Sequence, residues 1–232
     1  MDKLLVINPE QRSKLWYSLR YDLTEGKQDG DIEETKIISK ITDDFSIDFQ
    51  FVHDRTDDTV YIYTNGMMDT GIRIEDSEEN VRPLELAIVT DINFLGIHDL
   101  DELNNGKNLP WIIYYLSDIC YNLIFGNNKI KYGDIIPIDS KYWTQTNYRC
   151  AVVNPVNKGK IIRELDENTY VELLTLILMK SDEMRKSNNL LNLLIQADAI
   201  LQLYGNKTYA DRDSASTEFS RHITEILCDS ME

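Results

Sequence analysis

The stretch "FSIDFQFV" places Phe45, Ile47, Phe49 and Phe51 at every second position. A period of two sets all four large side chains on one face of an extended strand and fits no helical stripe. A second run, "VYIYT", begins at Val60, and "HDRTDD" between the two is a connection, so the sequence predicts an antiparallel hairpin. Asn65-Gly66 accepts positive φ at low cost and ends the second strand in a sharp turn. Two methionines follow, Met67 and Met68. Flexible thioethers suit an irregular gap beneath such a turn; a Met-lined binding groove is the other use of the pair.

Further elements follow from the same kind of pattern. Residues 9–21, "PEQRSKLWYSLRY", predict a short amphipathic helix with Leu15, Trp16 and Leu19 on one side, and "TEGKQDGDIEET" reads as a loop. A third strand is "PLELAIVT", Pro83 to Thr90, preceded by the acidic loop "EDSEEN". Pro110 opens a helix that runs to about Phe125 and ends at Gly126. It is apolar nearly all round, which predicts burial on more than one side. "KIKYGDIIPI" and "YRCAVVNP" read as strands, whereas "TYVELLTLILM" fits a buried strand or a helix equally well. Ser181, with Asp182 and Glu183 behind it, starts a helix or helix pair running through "LLNLLIQADAILQLY" to a cap at Gly205. These readings give one domain over residues 1–205, with 206–232 a C-terminal tail or short helix ("EFSRHITEIL").

Composition narrows the function. Forty acidic against 24 basic side chains leave a formal charge of −16. Residues 1–110 hold 24 of the acidic and 11 of the basic ones, so −13 of that charge sits in the first half. Nucleic-acid backbones are bound by basic side chains that displace counterions, so the balance argues against a nucleic-acid partner and favours a basic protein. Three widely spaced cysteines, Cys120, Cys150 and Cys228, with no CxxC, fit reduced thiols in a cytoplasmic protein. "MDKLLVINPEQ" has too few apolar residues for a signal peptide, and the most apolar windows are shorter than a membrane span. His53, His98 and His222 lie at no metal-ligand spacing, and neither GxSxG, a P-loop nor GxGxxG occurs. Acidic pairs such as Asp43-Asp44 and Asp57-Asp58 sit in polar loops, where nothing pulls two carboxyl pKa values apart for catalysis. Neither an enzyme, a cofactor nor a metal is expected.

The turn segment also carries a family likeness. A strand followed by Thr64-Asn65-Gly66-Met67-Met68-Asp69 resembles a signature of the Suppressor of fused domain family. In chain order, "RPLELAIV", "LPWIIYYLSDICYNLI", "YGDIIPI", "YRCAVVNP" and "YVELLTLILMKSDEMRKS" resemble further segments of that family, over about residues 40–195. Gly133-Asp134 stands where many members have Gly-His, so no role of that histidine carries over. Met179-Lys180 replaces the proline usual before the late glutamate-rich helix, and the last 35 or so residues have no counterpart. The resemblance implies an α+β domain, a mixed and mostly antiparallel sheet with helices packed on it, without catalytic activity. It implies two functional themes. Animal members clamp a strand-like peptide of a transcription factor, and bacterial single-domain members are proposed immunity proteins that block a cognate toxin.

Charge and resemblance together give the expectation of an immunity-type protein that binds a basic toxin domain. The expected contact residues lie on three acidic loops: Asp54, Asp57 and Asp58; Glu75, Asp76, Glu78 and Glu79; and Asp99, Asp101 and Glu102. The alternative is a regulatory or scaffold module that binds an extended peptide by β-strand addition.

Overall fold

The computed structural model describes residues 10–11, 13–14, 16–17, 27–43, 45–67, 84–104, 109–126, 129–153, 161–166, 169–186, 197 and 207–208. The hairpin forms as its alternation predicts. Strand β2 (Ser46–Asp54) pairs antiparallel with β3 (Thr59–Asn65), Phe51 opposite Ile62 and Asp54 opposite Thr59. Ile47, Phe49 and Phe51 are completely buried on one face with Val60 and Ile62. Each such side chain contributes roughly 1.5–3 kcal/mol of hydrophobic stabilisation, enough to fix the register.

On the outer side of β2 lies β1 (Ile32–Lys40), where a loop had been expected through residue 35. Its burial alternates between half-buried and exposed, because it is the terminal strand and carries Glu34, Lys36 and Lys40 on its open face. Charged side chains on an edge strand discourage pairing with other chains, and they also hide the strand from a hydrophobicity pattern.

On the other side β3 pairs with β4 (Leu84–Thr90), which is buried at every position. Beyond β4 comes β8 (Thr169–Lys180), so the ambiguous apolar run is a strand. It looked ambiguous because residues 171–179 are buried without alternation. The C-terminal half of β8 pairs antiparallel with β6 (Tyr148–Val153), and its N-terminal half pairs with β7 (Ile161–Asp166). A short β5 (Ile135–Pro137) closes the far edge. "KIKYGDIIPI" is therefore strand only at its end, because Tyr132 and Gly133 turn the chain, with Gly133 at φ 82°. The order is β1-β2-β3-β4-β8-β6-β5, antiparallel except where β4 meets β8 and the two-residue β9 (Lys207–Thr208). This is the mixed, mostly antiparallel sheet expected.

Helices cover one face. After two short helices, α1 (Ile92–Leu95) and α2 (Asp101–Asn104), α3 (Trp111–Phe125) lies across the sheet. Pro110 is its N-cap residue and Gly126 its C-cap, with the Gly126 amide donating to the Asn122 carbonyl. Ile112, Leu116, Ile119 and Cys120 are buried within the main core, while Tyr114, Tyr121 and Phe125 form an exposed stripe. The helix is thus buried over most of its circumference. On the opposite face a smaller cluster of Val52, Tyr63, Ala87, Val171 and Leu173 packs against Trp16. Residues 10–11, 13–14 and 16–17 are helical, as the amphipathic pattern predicts. Ser181 begins α4 (Ser181–Lys186), and the expected continuation to Gly205 and the last short helix lie outside the described residues. Among the described residues no helix is long and apolar enough to cross a membrane.

Candidate functional site

The β2–β3 hairpin turns through Arg55–Asp58, where Asp58 takes a left-handed φ of 54°. Asp54, at the end of β2, turns inward. Its carboxylate accepts the Thr56 amide at 2.9 Å and the Thr56 hydroxyl at 2.6 Å, and pairs with Lys27 Nζ at 3.0 Å. Burial works to raise its pKa, but the Thr56 and Lys27 hydrogen bonds outweigh that and hold the carboxyl below its ordinary value. Asp54 was expected to face a partner; it instead ties the loop to the chain at Lys27, since only 3% of its side chain is exposed.

The residue that organises this end of the sheet is Glu33 of β1, which lies opposite His53. Its Oε1 accepts the Leu100 amide at 3.0 Å, and its Oε2 meets Arg55 Nη2 at 3.0 Å and His53 Nδ1 at 3.5 Å. The other imidazole nitrogen, Nε2, lies 3.0 Å from Asp58 Oδ1. One half-buried carboxylate thus joins the hairpin tip to the segment before α2. That segment is self-capped: Asp99 Oδ1 accepts the Glu102 amide, and Glu102 Oε1 accepts the His98 amide. A reciprocal pair of this kind fixes a helix start. Thr35 Oγ1 donates to Asn104 Oδ1 at 2.7 Å and holds the other end of α2 against β1.

Two of the three expected loops are therefore brought together. Asp57, Asp99, Asp101 and Glu102 are exposed, and the Asp58 side chain is 45% exposed. Glu75, Asp76, Glu78 and Glu79 lie outside the described residues. Glu33, His53 and Arg55 were not expected at the site, because their roles depend on a register between β1 and β2 that no local pattern reveals.

The turn after β3 holds a second, internal constellation. Glu85 of β4 is fully buried, and its carboxylate accepts the Thr64 hydroxyl and the Gly66 amide. Thr64 Oγ1 in turn accepts the Leu86 amide at 2.8 Å. Gly66 sits at φ 136°, a conformation that glycine alone adopts without strain. Met67 is fully buried beneath the turn, its sulfur 3.4 Å from Cys120 Sγ. Met67 is thus the gap filler, and Met68 lies outside the described residues. Burial, with Glu85 nearby, pushes the Cys120 thiol pKa well up, and burial takes Cys150 to about 12. Neither thiol has nucleophilic character. Among the described residues no three His, Cys, Asp or Glu side chains gather to hold a metal ion.

No family model matches the sequence, and no curated protein matches it. Among solved structures, the chain is similar to one in the crystal structure of the Sufu-Fu complex, at 13% identity and a TM-score of 0.56, covering 95% of this chain and 97% of that one. The fold is Sufu-like. The crystal structure of Drosophila Suppressor of Fused is also similar, at 14% identity and a TM-score of 0.46, over 86% of this chain and 46% of that one. Within the Sufu-like fold the resembling segments fall on the end of β3, on β4, α3, the approach to β5, β6 and β8. Two of them, the turn and the β4 segment, meet through the Glu85 carboxylate. In this chain that constellation of Thr64, Gly66 and Glu85 is a folding device.

Proposed function

We propose that this chain is a non-enzymatic protein-binding domain whose acidic hairpin end engages a basic protein. One observation carries the reading: Glu33 draws loops from distant parts of the sequence onto one corner of the sheet, with Asp57, Asp99, Asp101 and Glu102 exposed there. Like charges set side by side repel, and a basic partner relieves that repulsion while being steered in by it. The fold adds support, since a similar chain was solved in the Sufu-Fu complex. The finer reading is an immunity protein that binds and neutralises a cognate bacterial toxin in the cytoplasm. A basic nuclease groove is the electrostatic complement of a half-chain carrying −13.

The test is capture of the partner from native cells, then association kinetics across a salt series. Reversing Asp57, Asp99, Asp101 and Glu102 to lysine should slow association much more than it speeds dissociation. Co-expression should also rescue cells from the toxin. Unchanged association by the reversed variant removes the acidic corner, and unchanged survival removes the immunity role.

A second reading has its own observation. β1 is a nine-residue terminal strand, with no strand outside it among the described residues. A partner peptide added to that edge would bind through main-chain hydrogen bonds with little dependence on salt. The salt series separates the two readings.

A further inference from the structure

On the sheet face opposite α3, a cleft of about 410 Å³ runs between the N-terminal helical residues and strands β1 to β3. Strand register puts Lys36, Gln50 and Tyr63 in one row and Ile38, Asp48 and Asn65 in the next. One amide there lacks what buried amides ordinarily have. The Asn65 Oδ1 atom is buried with no hydrogen-bond partner. Gln50, on the next strand and in the adjoining row, is only 9% exposed. A buried polar group left unpaired costs on the scale of a whole hydrogen bond, so the Asn65 oxygen on the cleft wall marks a place for a ligand's donor.

The rest of the lining says which donors. Asp48 and Glu34 contribute carboxylates, with Lys36 Nζ 3.4 Å from Asp48 Oδ2 as the one cation among the described lining residues. The Trp16 indole, tilted against Tyr63 with ring centroids 5.2 Å apart, forms the opposite wall. Carboxylates, amide oxygens and an indole face together match a flat, donor-rich cation. We infer that this cleft takes the guanidinium of an arginine side chain presented by the protein partner. The inference rests on the reading of a basic partner, but it uses the sheet face away from the acidic corner. Ammonium fits less well, because it has three donors around a point and no plane to lay on Trp16.

The full chain is titrated with N-acetyl-arginine methylamide, with the lysine and citrulline counterparts and with free arginine. Binding is followed by the Trp16 indole N–H signal, assigned with Trp16→Phe. The blocked arginine should shift that signal saturably, the lysine compound should bind more weakly, and neutral citrulline should not bind. Asp48→Asn should weaken the arginine compound about tenfold, the worth of one charged hydrogen bond. Lys36→Gln, which removes the competing cation, should bind at least as tightly as the parent chain. Absence of a saturable shift, citrulline binding as well as arginine, or an Asp48→Asn variant that binds normally overturns the site. Much tighter binding of free arginine than of the blocked compound overturns the assignment to a protein side chain. These outcomes need no partner, so they stand apart from those of the salt series.

Discussion

Removing the Glu33 carboxylate should loosen the acidic corner without unfolding the sheet. In Glu33→Ala the Leu100 amide loses a charged acceptor at 3.0 Å, Arg55 loses its ion pair, and His53 keeps Asp58. A hydrogen bond to a charged group contributes about 1.5–3 kcal/mol. The Arg55 pair is half in water, so it adds at most about 1 kcal/mol. The His53 contact at 3.5 Å is at the limit of hydrogen bonding and adds little. The expected loss is therefore about 2–3 kcal/mol. With a urea slope of roughly 2–3 kcal/mol/M for a chain of this size, the midpoint should fall by about 1 M. Glu33→Gln keeps a neutral acceptor for Leu100 and should lose about half as much. Hydrogen exchange localises the effect: the Leu100 amide should lose protection in Glu33→Ala while amides of β3 and β4 keep theirs. A midpoint shift below about 0.3 M with Leu100 protection unchanged would refute the role given to Glu33.

Thr64→Val, nearly the same shape, strips the buried Glu85 of a donor and the Leu86 amide of its acceptor, and should destabilise by about 3 kcal/mol in urea unfolding. Asp54 has a depressed folded-state pKa, so its contribution is complete above the ordinary value of 3.8 and is lost as pH falls through the lower folded value. An Asp54→Asn chain should be less stable at neutral pH, and the gap to the parent should close in acid titrations followed by circular dichroism. Cys120 and Cys150 should resist iodoacetamide in the native state and react only on unfolding, as mass spectrometry of alkylated peptides would show.

How legible each part was follows from what faces what. The β2–β3 hairpin could be read because one face of β2 is wholly apolar and the other carries polar side chains, so Phe49 and Phe51 alternate with Asp48 and Gln50. β8 could not be told from a helix, since burial on both faces erases its period. β1 was hidden for the opposite reason: a terminal strand carrying Glu34, Lys36 and Lys40 has the composition of a loop. At the acidic corner, composition gave the loops but not their use. Asp54 looks like its neighbours in sequence, and only the approach of Lys27 shows that it faces inward. Glu33 lies in a stretch with no apolar signal, yet it joins residues far apart in the chain. The Asn65 and Gln50 amides share a cleft only because the two strands pair in one register.

The parallel seam between β4 and β8 sets Leu84–Ala87 beside Glu172–Thr175. During synthesis β4 emerges with β3 ready to receive it on one side and nothing on the other. The whole strand is buried in the finished domain, so the nascent chain carries an unpaired, template-like margin until translation reaches β8. Anything that stalls the ribosome between those two segments should therefore favour clumping over completion, and a chaperone held on that margin is what the cell would need to prevent it.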